Sequence, residues 1–154
     1  MDISVIVPLL DEDESLPELA AWIERVMLAN DFSYEVIMVD DGSSDHSWEV
    51  IESIHLQNNN IRGIKFQRNY GKSAALNEGF KAAKGDVVIT MAADMQDSQD
   101  EIPGLRNMIV EDGCDMVGGW TTKRYDTKLT KKFPSKFFNI TASKTTELTC
   151  PDFQ

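Results

Sequence analysis

The 154-residue chain predicts an α/β fold, a doubly wound and mostly parallel sheet flanked by helices, and three observations carry that reading. Short apolar runs of strand length (3–7, 34–39, 61–66 and 87–91) alternate with longer segments of helical periodicity. The connections between them are short. Oxygen-rich loops follow three of the strands: Asp11-Glu12, Asp40-Asp41 and Asp94-Met95-Gln96-Asp97. In an open parallel sheet all strand ends face one side, so these loops are expected to converge on a single edge.

Taken in order, Ile3-Ser4-Val5-Ile6-Val7 is a buried strand that Pro8 closes. Ser15-Leu16-Pro17-Glu18 has the pattern of a capping box with proline in the first turn, so a helix starts there. Leu16, Leu19, Ala20, Ile23, Val26 and Met27 form its apolar stripe, and Asn30 ends it. Strand 34–39 leads through Asp40-Asp41-Gly42-Ser43-Ser44-Asp45 into a helix with Trp48, Ile51 and Ile54 on one face. Strand 61–66 is followed by Arg68-Asn69-Tyr70-Gly71-Lys72 and an alanine-rich helix over 73–83. Strand 87–91 delivers Asp94 and Gln96. A helix over 101–112, with Ile102, Leu105, Met108 and Ile109 inward, and a short fifth strand at 116–118 complete the alternation. Residues 131–143 have helical character, but no further strand and helix follow, so the sheet is expected to be truncated at the C-terminus.

Composition excludes several classes. No apolar run reaches the roughly 20 residues that cross a bilayer, and Met1-Asp2-Ile3-Ser4 lacks a signal-peptide n-region. Cys114 and Cys150 are the only cysteines, which fits a reducing, cytoplasmic setting and no disulfide scaffold. His46 and His55 read as surface positions, and a zinc site is not indicated. The net charge is −11, yet from Thr121 onward seven basic residues face three acidic ones. The acidic body speaks against nucleic acid. The basic segment, with Phe133, Phe137 and Phe138 interleaved, reads equally as a solvated helix or as a surface for a membrane or lipid phosphate.

Clustered carboxylates repel one another unless a cation or N–H donors compensate, so three acidic loops on one edge point to a ligand site. Any one of them alone is more often a helix cap than a site. Gly71-Lys72-Ser73 ends like a P-loop, but Phe66 stands where the first glycine should be. Neither a dinucleotide fingerprint nor a nucleophile elbow is present. Lys72, just ahead of a helix, is placed to meet an anion.

Three motifs then carry a family resemblance. Val5-Ile6-Val7-Pro8-Leu9-Leu10-Asp11-Glu12 resembles the opening Val-Ile-Pro-x-Tyr-Asn-Glu segment of family 2 glycosyltransferases of GT-A fold. Val39-Asp40-Asp41-Gly42-Ser43-Ser44-Asp45 is similar to their Asp-Asp-Gly-Ser-x-Asp loop, and 69–79 to their Asn-x-Gly-Lys-x-x-Ala-x-x-x-Gly element. The likeness is strongest to the dolichol-phosphate mannosyltransferase-like branch, which makes polyprenyl-phosphate sugars. It implies a Rossmann-like GT-A domain over 1–154, with 1–120 binding a nucleotide sugar and 121–154 beginning an acceptor-side part.

The resemblance implies a UDP- or GDP-linked sugar donor and inverting transfer to a polyprenyl phosphate lipid at the inner face of the membrane. Pro8, Leu10, Glu12, Asp40, Asp41, Lys72, Ala92 and Ala93 are the implied nucleotide-binding positions. Asp94 and Gln96 are the implied ligands of Mg2+ or Mn2+, Asp94 and Asp152 the implied catalytic acids, and Lys123, Arg124, Lys131 and Lys132 the implied acceptor-phosphate contacts. The chain departs from the pattern in three ways. Ala92-Ala93-Asp94 stands where the family has Asp-x-Asp, Leu10-Asp11 replaces its Tyr-Asn, and the chain stops at Gln154. Two rival readings follow: a nucleotide-binding remnant without turnover, and a receiver-like signalling domain. The receiver needs its acid pair after the first strand and its lysine after the fifth, which the sequence does not offer. A truncated sheet would expose an apolar edge, so a homodimer or poor solubility is expected.

Overall fold

The computed structural model describes residues 1–95 and 98–118. Its core is a four-stranded sheet of β1 (Ile3–Leu9), β2 (Tyr34–Asp40), β3 (Ile61–Lys65) and β4 (Val87–Thr90), all parallel, in the order β3-β2-β1-β4. Helices α1 (Leu16–Ala29), α2 (Ser47–Gln57) and α3 (Lys72–Ala82) connect them, and α4 (Ile102–Val110) follows a 3-10 turn at Gln99–Glu101.

Side chains alternate along each strand, so the sheet feeds two cores. Ile3, Val5, Val7 and Leu9 join Val36, Met38, Val87 and Ile89 in one cluster with the α1 stripe Leu16, Leu19, Ile23 and Met27, with Ile51 and with Ile102. The other face is smaller: Ile6, Ile37 and Val39 meet Ala75, with Leu76 at its margin. Helix α3 can lie this close because Gly79 faces Ile6, where a Cβ would come within 2.4 Å of Ile6 Cγ2. Strands β1 and β2 are buried along their whole length, as expected of continuous apolar runs.

Pro8 does not end β1. The strand continues to Leu9, and Asp41 N–H donates to Leu9 O at 2.9 Å on the β2 side. On the β4 side, Met91 N–H donates to Ile6 O at 3.0 Å, and the next rung would need an N–H from residue 8. Proline has none, so the proline closes the ladder on one edge only. Strand β4 accordingly stops at Thr90, and the chain is free to leave the sheet at Met91.

Three further expectations need correcting. Ser15 precedes α1, but its hydroxyl donates to Glu12 O and Glu12 Oε2 instead of capping the helix, because its own backbone is already helical (φ −84°, ψ −28°). Met108 is 45% exposed, whereas Ile102 is fully buried, because α4 packs through its first turn. Residues 116–118 form no strand. Gly113 (φ 72°) turns the chain after α4, with Cys114 N–H donating to Met108 O, and Met116 is 89% exposed. Two apolar residues bury too little surface to offset the cost of ordering an edge strand.

At the edge opposite the strand exits, a buried polar knot ties the sheet together. Glu35 Oε1 accepts from Ser4 Oγ (2.8 Å) and Lys84 N–H (2.7 Å), and Arg62 donates to Oε2 at 3.0 and 3.2 Å. Arg62 also donates to Ala82 O, and Gly85 N–H to Ser4 Oγ. Burial pushes the Glu35 carboxyl upward, but the bonds from Ser4, Lys84 and Arg62 outweigh it and hold the group below its ordinary 4.5. A depressed carboxyl contributes stability that is present above its ordinary range and is lost as pH falls through the folded value. Glu35→Gln is therefore expected to cost about 2 kcal/mol near neutral pH, with the gap to the parent protein closing as the medium is acidified. Urea melts across that pH range measure it.

Candidate functional site

Strands β1, β2 and β3 run outward in one direction, whereas β4 returns to the other side of β1. The order therefore reverses between β1 and β4, and a cleft opens outside the carboxyl ends of strands at such a switch point. The cleft has a volume of about 320 Å3. Pro8, Leu9, Leu10 and Glu12 line it from the end of β1, and Asp41 from the end of β2. Asn69, Gly71 and Lys72 come from the turn into α3, and Ala92, Ala93 and Asp94 from the chain leaving β4.

The loops are held by one another. Asp11, at φ 55°, accepts from Ser44 N–H (2.7 Å), while its own N–H donates to Ser43 Oγ (3.0 Å). Glu12 N–H donates to the fully buried Ser47 Oγ at 2.9 Å, and Asp13 N–H to Asp45 Oδ2 at 3.2 Å. Burial raises the Asp45 carboxyl, but Ser47 and the N–H of Asp13 more than compensate and hold it below its usual range. Asp40 Oδ1 accepts from Ser43 N–H at 2.8 Å. Asp41 accepts from two consecutive backbone groups, Tyr70 N–H at 2.7 Å and Gly71 N–H at 2.9 Å. Carboxylate repulsion at this edge is thus relieved largely by N–H and hydroxyl donors.

The structure brings Pro8, Leu10, Glu12, Asp41, Lys72, Ala92, Ala93 and Asp94 to one cleft. Asp40 does not line it: the side chain is fully buried beneath, and its Oδ2 has no hydrogen-bond partner. Gln96, Lys123, Arg124, Lys131, Lys132 and Asp152 lie outside the described residues. Leu9, Asn69 and Gly71 are lining residues that the sequence reading did not single out as site positions. The signal for the last was a glycine directly ahead of a helix, here at φ 94°. Met95, at φ 57°, holds a left-handed backbone while its side chain packs against the larger core, which fixes the turn directly after Asp94.

Among the described residues no group of three or more His, Cys, Asp or Glu side chains could hold a metal ion by itself. The cleft instead offers Asp94 as an exposed carboxylate together with Glu12, Asp41 and Lys72, the one cation among its described lining residues. That donor set suits a Mg2+-like ion, which binds through one or two carboxylates together with substrate phosphates. No described helix is long and apolar enough to cross a membrane.

Comparison with known proteins agrees with this architecture. The profile of the family described as Glycosyl transferase family 2 matches residues 4–153. The chain is 38% identical over 152 residues to the undecaprenyl-phosphate 4-deoxy-4-formamido-L-arabinose transferase of Proteus mirabilis, covering 98% of this chain and 46% of that protein. The transferase of the same name from Pseudomonas fluorescens is 36% identical, with 98% and 44% covered. The chain thus spans about half the length of these curated relatives. Among solved structures, a mannosyltransferase from Pyrobaculum calidifontis in complex with GDP-Man and Mn2+ superposes with a TM-score of 0.63 at 22% identity, over 71% of this chain and 32% of that one. S. aureus TarS 1-349 in complex with UDP gives 0.60 at 21% identity, over 86% and 40%. At these identities the structural likeness concerns the fold.

Two glycines test the loop packing without any ligand. Gly42 sits at φ 79°, where a Cβ would come within 2.4 Å of the Arg68 carbonyl carbon. Gly104, in α4, has open space around the same position. Gly42→Ala is expected to destabilise by about 2 kcal/mol or more, whereas Gly104→Ala is expected to stabilise by roughly 0.5–1 kcal/mol. Thermal melts of the two variants beside the parent check both signs.

Proposed function

The chain belongs to glycosyl transferase family 2, and from that premise we propose that it takes part in moving a sugar from a nucleotide-diphosphate sugar to a polyprenyl phosphate, with inversion at the anomeric carbon. The observation that carries the reading is the cleft at the switch point, where Glu12, Asp41, Lys72 and Asp94 face one space. The names of the relatives, transferases acting on undecaprenyl phosphate, support the acceptor class. GDP-Man in one structural neighbour and UDP in another support a GDP- or UDP-linked donor.

In this reading Pro8, Leu9 and Leu10 form an apolar wall for the nucleoside, and Glu12 and Asp41 accept hydrogen bonds from its polar edge. Ala92 and Ala93 leave room for the ribose and diphosphate to approach the backbone, while Lys72 faces the phosphates. Mg2+ or Mn2+, held by Asp94 with Gln96, would neutralise charge on the departing diphosphate; Mn2+ in the mannosyltransferase neighbour supports that class of ion. A lipid phosphate is already anionic near neutral pH, since its second pKa is about 6, so attack needs no strong general base. Lys123, Arg124, Lys131, Lys132 and Asp152 belong to the acceptor-side part, and work at the inner face of the membrane follows from the lipid.

Ala92 replaces an acid and removes one charged contact, worth roughly 1.5–3 kcal/mol. That weakens donor binding or turnover by about 10- to 100-fold without abolishing the site. It also favours a second reading, in which the chain binds the nucleotide but transfers little sugar. Calorimetric titration with UDP and GDP, with and without Mn2+, tests both. One nucleotide is expected to bind, at least about tenfold more tightly with Mn2+, and Asp94→Ala is expected to remove the metal dependence. Failure of both nucleotides to bind would sink the proposal; binding without transfer to a polyprenyl phosphate would select the second reading.

A further inference from the structure

We propose that Asp41 is a positioning residue that acts through Lys72: its carboxylate latches the turn that starts α3 and so fixes the cation of the cleft against a diphosphate. This rests on the donor-site reading above and adds to it a task for Asp41 that nucleoside contact does not require.

Helix α3 starts without a cap of its own. Its N-cap is Gly71, which has no side chain to accept from the first turn, and nothing lies within 4 Å of where a Cβ would stand. A glycine at φ 94° costs much conformational freedom to order. The exposed Tyr70 ahead of it offers little burial in return. A carboxylate from another strand instead holds the two residues just ahead of the helix. Asp41, 5% exposed at the end of β2, receives Tyr70 N–H at 2.7 Å and Gly71 N–H at 2.9 Å, one on each carboxylate oxygen. Backbone donors on a carboxylate form charge-assisted bonds, about twice as strong as neutral ones. The neighbouring Gly42 seals the arrangement, since it lies so near the Arg68 and Asn69 backbone that no side chain fits between the loops. Lys72, the next residue after the latched pair, is the first of the helix and lines the cleft. Its reach is therefore set from β2, through two N–H groups, by a residue that need not touch the phosphates.

The geometry specifies the variant. Asn in place of Asp41 offers one acceptor and one N–H2 donor to two N–H groups, so one bond becomes a donor–donor clash and the latch opens with little change in volume. Two measurements then decide. In amide hydrogen exchange, Tyr70 and Gly71 are expected to be protected in the parent protein and to lose protection in Asp41→Asn, while the β1 amides stay protected. In Mn2+-supported binding of inorganic pyrophosphate, which has no base or ribose, Lys72→Ala and Asp41→Asn are each expected to weaken affinity by about tenfold. The double variant should be no weaker than either single one, because both remove the same contact.

Unprotected Tyr70 and Gly71 amides in the parent protein would overturn the latch. So would an Asp41→Asn variant that keeps its pyrophosphate affinity, or losses that multiply in the double variant. If the parent binds neither UDP nor GDP, the donor-site reading falls instead, and the exchange measurement still decides whether Asp41 holds the turn.

Discussion

Strand β1 is hydrogen-bonded along both edges up to Ile6 and along only one beyond it, because Pro8 has no N–H to offer the next rung toward β4. The remaining architecture of the cleft depends on that asymmetry. Had the ladder continued, the segment after Thr90 would have stayed in the sheet, and Asp94 would have followed a longer strand outward. Instead Met91 and Ala93 pack against the larger core, and Ala92, Ala93 and Asp94 line the cleft. The same proline stands in the wall of the cleft, so one missing donor both ends a strand and helps shape a site.

The second organising element is the way acids are accommodated. An edge carrying Asp11, Glu12, Asp40, Asp41, Asp45 and Asp94 would be self-repelling in isolation. Most of that charge is spent internally: Asp11 on Ser44, Asp40 on Ser43, Asp41 on Tyr70 and Gly71, and Asp45 on Ser47 and Asp13. Each bond crosses from one loop to another or closes a turn, so the acids act as clamps between the β1, β2 and β3 exits. A cleft assembled this way is set before a ligand arrives, which lowers the ordering cost of binding.

The alternation of strands and helices, the parallel sheet and the convergence of loops were all legible in the chain, because each rests on periodicity and short connections. Two elements were not. The strand at 116–118 was inferred from Met116 and Val117, but two apolar residues satisfy many local patterns and only tertiary pairing decides among them. The continuation of β1 through Pro8 was missed because proline forbids a bond on one edge while leaving the other intact, and sequence does not state which edge a strand presents. Within the site, Pro8, Glu12, Asp41 and Asp94 could be gathered from motif order. The distinction between Asp40, sealed beneath the cleft, and Asp41, on its wall, could not, since β2 ends between them and sequence does not state at which residue a strand stops.

Membership of glycosyl transferase family 2 gives this geometry its chemical meaning. In the proposed reading a diphosphate and its divalent ion would sit beside Asp94, at the exits of β1 and β4. Paramagnetic broadening by Mn2+ in an NMR titration tests it most directly. Once UDP or GDP is present, the amides of Ala92 and Asp94 are expected to broaden first, and those of Ser4 and Glu35, at the opposite edge, to stay sharp. Broadening independent of nucleotide, or centred away from the β4 exit, would contradict it.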